Sequence, residues 1–186
     1  MKRNYWPLLF ISIFSFTFGM IVWTISSAVK VPVNEDEAFL KSYHELDRGF
    51  NDVISSNTKF LDKYNFNIKI NKNDFGLVLS DMFLSQRVME EKSKHKNTFI
   101  NGKNSITILI KDKKSGKKID NAELLFRISR PTNHNNTMDF KNEDFKIVNN
   151  GYILDLELPL KGNWNATGSF KVGDDTGYFY IKSNAI

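Results

Sequence analysis

His134 and Met138, four residues apart in an Asn-rich stretch that reads as a loop, are the nearest this chain comes to a ligand pair. Imidazole and thioether suit Cu(I), but two such ligands hold a metal weakly, and Met82, Met89 and His95 would have to fold toward them. Acid–base chemistry has less to work with. His44, His95 and His134 are far apart in sequence, and the acidic pairs Glu90–Glu91 and Asp174–Asp175 have no neighbouring acid or base partner. No nucleophile elbow, phosphate loop, dinucleotide fingerprint or zinc-protease helix occurs. Cysteine is absent, which removes disulfides, thiol catalysis and thiolate metal sites together. The expectation is a non-enzymatic protein without catalytic, cofactor-binding or metal residues, with Cu(I) binding the alternative.

The elements that would position any site fall into three parts. From Asn4 to Val29 there are 26 residues without a charge. Residues 6–29 form an expected transmembrane anchor, since about 23 residues at roughly 1.5 Å each cover a hydrocarbon core of about 30 Å. Lys2 and Arg3 precede it, so residues 1–5 are expected to face the cytoplasm and the remainder the far, periplasmic side of a bacterial inner membrane. Trp6 and Trp23 lie near the two ends, where amphipathic rings prefer the headgroups, and Pro7 falls in the first turn. Ser26-Ser27-Ala28 also resembles a signal-peptidase site, but the apolar core from Pro7 to Ile25 is longer than a usual signal core, which favours a retained span. Within the span Ser12, Ser15, Gly19 and Ser26 share one face, and Ser15 with Gly19 is a small-xxx-small pair that lets a second helix approach.

Beyond the anchor a helix is expected over 34–64. Asn34 caps it, and Phe39, Tyr43, Leu46, Phe50, Val53, Asn57, Phe60 and Tyr64 form a stripe spaced by fours and threes. Asn57 alone is polar on that stripe. A polar seam residue can set the register of a coiled coil, so a homodimer through this helix is one reading; packing against its own domain or the lipid bilayer is the favoured one.

From Phe66 onward the period is two. Ile106, Ile108 and Ile110; Leu124, Phe126 and Ile128; Tyr152, Leu154, Leu156 and Leu158; and Trp164, Ala166, Gly168, Phe170 and Val172 alternate with polar neighbours. With Phe145–Val148 and Tyr178–Lys182 they make at least six strands joined by turn-forming runs. The fold class is mainly β: one N-terminal transmembrane helix, a long amphipathic helix, then an antiparallel immunoglobulin-like β-sandwich over 66–186 with an insertion near 69–101. Phe75–Lys96 fits a strand and short helix as well as two strands. The net charge of +5 is dispersed except for Lys111, Lys113, Lys114, Lys117 and Lys118 around Ser115-Gly116. That run has neither arginine nor interleaved aromatics, so it reads as a solvated hairpin tip and not as a nucleic-acid patch.

One further pattern is specific. Leu125-Phe126-Arg127-Ile128-Ser129-Arg130-Pro131-Thr132-Asn133, then Asp139, then Gly151-Tyr152 with alternating leucines, then Gly162 and Trp164, resembles the FixH family, as does Trp6-Pro7 opening a single span. The resemblance implies a membrane-anchored accessory protein, also called CcoH, that assists assembly or stability of the cbb(3)-type cytochrome c oxidase. Its partners would be oxidase subunits or their copper-insertion machinery, and the alternative is a module delivering Cu(I) to them. The stretch Lys69–Asn101 exceeds what typical members carry. Physics supplies a structural reading beside this one: Pro131 ends a strand because it cannot donate to the ladder, Thr132 and Asn133 can bond the following turn, and Gly162 permits the turn before a buried Trp164.

Overall fold

The computed structural model describes residues 4–30, 43–83, 94–131, 133–148 and 151–186, without the side chains of 43–48, 83 and 133–135. The chain divides into two units, Met1–Asn34 and Glu35–Ile186.

The first unit is α1 (Trp6–Lys30), a helix long and apolar enough to cross a membrane. Its two threonines bond back to the helix: Thr17 Oγ1 donates to Ile13 O at 2.9 Å and Thr24 Oγ1 to Met20 O at 2.8 Å. Such back-bonding removes the cost of a hydroxyl in hydrocarbon. The helix suggests single-pass membrane anchoring.

The second unit begins with α2 (Tyr43–Lys63) and passes without a loop into β1 (Tyr64–Ile70), followed by β2 (Asn73–Phe75) and a 3-10 turn at Ser80–Phe83. Then come β3 (Gly102–Asp112), β4 (Glu123–Arg130), β5 (Asn133–Lys141), β6 (Lys146–Val148), β7 (Gly151–Leu158), β8 (Gly162–Val172) and β9 (Asp175–Ala185). Two antiparallel sheets face each other, one in the order β2-β1-β3-β7-β6 and the other β5-β4-β8-β9. This is the expected mainly β sandwich. Its core is the inward half of each alternating strand: Ile106, Ile108, Ile110 and Leu154 from one sheet meet Phe126, Ile128, Phe170 and Phe179 from the other. The alternation decides this placement, because a strand sends successive side chains to opposite faces.

The structure corrects or fills in three sequence expectations. The helix ends at Lys63, and Tyr64, whose spacing continues the helical stripe, opens a strand; residues 34–42 lie outside the described residues. Second, 69–75 belong to the sheet: Ile68 and Ile70 are fully buried, and β1 pairs along its whole length with β3. Third, the stretch holding His134 and Met138 is β5, not a loop. Its polar sequence hides a strand because, among its described side chains, the apolar ones packed against the core are Met138 and Phe140, while Asp139 pairs with Arg127 of β4.

The polar break in the helix stripe has a definite role. β9 lies at a sheet edge, and its outward backbone groups would face solvent or another chain. Asn57 covers Tyr178, Val78 O accepts from Tyr180 N at 2.8 Å, Asp81 Oδ2 from Lys182 N at 3.1 Å, and Asn184 O from Phe99 N. The helix and the stretch after β2 therefore act as an edge cover, and Val53 and Phe60 fill the seam behind it.

Candidate functional site

Three of the motif residues, Arg130, Gly162 and Trp164, converge at one corner of the sandwich. β4 ends in Arg130, and Pro131 follows without an N–H to extend the ladder; pairing with β8 stops at Ser129 and Asn165. The Arg130 side chain turns over Trp164, its Cζ 5.5 Å from the ring centroid. Trp164 is fully buried and donates Nε1–H to Leu160 O at 3.0 Å, which fixes the indole plane. Gly162 opens β8 with φ +104, and a Cβ there would stand 3.2 Å from Arg130 Nη2. Glycine thus serves both the left-handed turn and the closeness of the guanidinium. Arg130 Nε is shielded and makes no hydrogen bond. The outcome is a half-buried planar cation, clamped by cation–π attraction, whose remaining N–H groups can take a carboxylate.

Gly151 and Tyr152 serve the frame. Gly151 has φ +122, and a Cβ there would lie 2.1 Å from Ile108 O. Tyr152 is buried in the first sheet, and its hydroxyl accepts from Ala122 N at 2.9 Å, at the entrance to β4 of the second. Burial pushes this phenol above its ordinary value of 10.0, opposed by the Ala122 hydrogen bond and aided by the charge of Asp120. Of the remaining motif positions, Thr132 and the side chain of Asn133 lie outside the described residues. In α1 the Trp6 ring packs 5.5 Å from that of Phe10, Pro7 sits in the first turn, and among the described residues nothing but the helix's own backbone and the chain neighbours lies within 4 Å of where a Gly19 Cβ would be. Ser15 precedes Gly19 by one helical turn.

The copper candidates are not brought together among the described residues. Met138 packs against the main core, whereas Met82 packs with Val53 and Tyr180 in a separate cluster. His95 holds Asp81, Nδ1 to Oδ2 at 2.6 Å. Met89 and the side chains of His44 and His134 lie outside the described residues. Among the described residues no group of three or more His, Cys, Asp or Glu could hold a metal ion. The Asp81–His95 pair escaped the sequence reading because its members stand 14 apart in a stretch without clear periodicity. Asp81 also accepts from β9, so the pair fastens the edge cover.

A cleft of ≈ 500 Å³ opens on the second sheet between Leu125, Ser169, Lys171 and Tyr178, with Lys141 and Glu143 on its rim. Its walls mix both charges, and Lys171 stands 3.6 Å from Glu123.

Residues 88–167 match the sequence model of the YtkA-like family, a family of CopC-like, immunoglobulin-like β domains. The match runs from before β3 into β8 and leaves out α2, β1, β2 and β9. It is compatible with a FixH-type protein and does not establish one. No curated protein matches the chain.

Proposed function

We propose that this chain is a non-enzymatic, membrane-anchored accessory factor that assists assembly or stability of a cbb(3)-type cytochrome c oxidase by protein–protein contact. The observation that carries the reading is the Arg130–Gly162–Trp164 corner. Residues separated by more than 30 positions, and singled out by their resemblance to FixH, meet as one pre-formed cationic contact point. An apolar span and an immunoglobulin-like domain of YtkA-like type suit such a role, because neither needs a reaction centre. In this reading the N-terminus is cytoplasmic, following Lys2 and Arg3, and the sandwich is periplasmic. The span contributes a second contact through Ser15 and Gly19.

The test is deletion of the gene with measurement of oxidase amount and activity in membranes, at ample and at scarce copper, together with pull-down of the haem-containing complex. The reading expects both oxidase amount and co-purification to fall. An oxidase unchanged under both conditions would end it.

A further inference from the structure

The turn between β3 and β4 holds an unbalanced charge on a rigid frame. Residues 111–118 carry five lysines against one aspartate, a net +4. The aspartate is used up by the turn itself: Asp112 Oδ1 accepts from Ser115 N at 2.7 Å and from Ser115 Oγ at 2.8 Å, which also holds this carboxyl below its ordinary value. Gly116, with φ +68, closes the turn by donating N–H to Asp112 O at 2.9 Å. Lys113 N is tied to Lys63 O at the end of α2. Lys118 bends back to Asp120 and to the carbonyl of Val148. Lys111, Lys113, Lys114 and Lys117 are exposed and have no acidic partner among the described residues.

The bond from Lys118 joins this turn to β6, the edge strand of the first sheet. Ile147 and Val148 there are 58% and 38% exposed. An aliphatic pair on a sheet edge is ordinarily protected by being short and flanked with charge. Here the flanking charge includes the pairs Lys146–Asp155 and Lys118–Asp120, and the exposed lysines of the turn leave a positive excess beside them. The turn itself has no arginine or aromatic to read a nucleic acid, and no apolar side chain to enter a lipid surface.

We propose that the β6 edge and the lysine turn together dock an acidic segment of a partner polypeptide. An aliphatic side chain of that segment covers Ile147, and its carboxylates meet Lys113, Lys114 and Lys117. This surface lies at the opposite end of β4 from Arg130, and it stands whichever complex the protein serves.

The full chain in zwitterionic nanodiscs is titrated against a labelled peptide of alternating Glu and Leu, and separately against phosphatidylglycerol vesicles. Exposed charge pairs are weak one by one, so replacing Lys113, Lys114 and Lys117 together by Gln is expected to weaken peptide binding about tenfold, and raised salt to do the same. Ile147→Ser is expected to weaken it about threefold. The control is a triple Lys→Gln variant at Lys69, Lys72 and Lys103, with the same net charge and a binding expected to stay within about twofold of the parent. Lys117→Glu, whose side chain takes no part in the Asp112–Ser115 bonds, repeats the test should the triple variant melt early. Equal losses in the two triple variants, no loss in either, or binding to the vesicles without binding to the peptide each overturn the proposal.

Discussion

The carboxamide of Asn57 closes both backbone hydrogen bonds of Tyr178: Nδ2–H donates to Tyr178 O at 2.9 Å, and Oδ1 accepts from Tyr178 N at 2.6 Å. One side chain on a helix thereby does for β9 what a neighbouring strand would do, 121 residues away in sequence.

Asn57→Leu separates this role from a coiled-coil seam. Leucine completes the apolar stripe and would strengthen a helix pair, yet it leaves the Tyr178 N–H and C=O facing methyl groups. A loss of about 2–4 kcal/mol is expected in urea unfolding of the full chain, the cost of two unpaired buried groups. A more stable or more oligomeric variant would contradict the edge-cover role.

Glycine positions separate strain from collision. Gly151 and Gly102 both have positive φ, at +122 and +99, but only at Gly151 does a Cβ strike a carbonyl, that of Ile108. Gly102→Ala should cost about 1–2 kcal/mol, and Gly151→Ala more than about 3 kcal/mol or prevent folding. Equal melting temperatures for the two variants would show that the β3–β7 contact relaxes.

Tyr152 makes alkaline stability predictable in sign. Its folded pKa is raised above 10.0, so the unfolded chain loses this proton first. The contribution is complete below pH 10.0 and disappears as pH rises through the folded value. Tyr152→Phe should flatten the fall of melting temperature above that pH, while costing about 1–3 kcal/mol at neutral pH through the unpaired Ala122 N–H. An alkaline slope identical to the parent's would rule this account out.

Arg130→Gln should leave Trp164 seated and reduce stability by only about 0.5–1 kcal/mol, the worth of the lost cation–π contact. Co-purification with the proposed oxidase partner is the readout that a merely structural arginine would not move. It is expected to fall while the melting temperature stays near that of the parent, and Arg130→Lys should restore it only in part, since lysine lacks the planar fork.

Within the span, Gly19→Leu has open space for its side chain and suits hydrocarbon, so insertion should be unchanged. Association with a partner helix, measured by crosslinking in intact membranes, should weaken. A complex that survives would make α1 an anchor alone.

Alternation made β3, β4, β7 and β8 readable, because in each the inward residues are mostly aliphatic or aromatic, although β8 buries Asn165 and Thr167 on its other face as well. β1 was legible only from Phe66 onward, and its start was hidden by coincidence. Tyr64 is at once the next position of the α2 stripe and the first of Tyr64, Phe66, Ile68 and Ile70, so the change of period left no gap to mark it. β5 was hidden by position: an edge strand needs few apolar residues, and Asn, Thr and Asp dominate it. Arg130, Gly162 and Trp164 could be singled out from sequence as a motif, but their meeting depends on the pairing of β4 with β8. The same holds for Asn57, whose polar side chain marked an anomaly without naming its partner.

The cover over β9 has a consequence for how the chain is made. Val53 and Phe60 of α2 emerge early, and the strand that receives them, Asp175–Ala185, emerges last among the elements of this domain. Until it arrives, Val53 lacks Tyr180, Phe60 has Tyr64 and Phe66 of β1 but not β9 against it, and the sheet lacks its final rung. An interrupted chain therefore displays apolar surface that the finished one conceals, which makes it the better substrate for proteolysis.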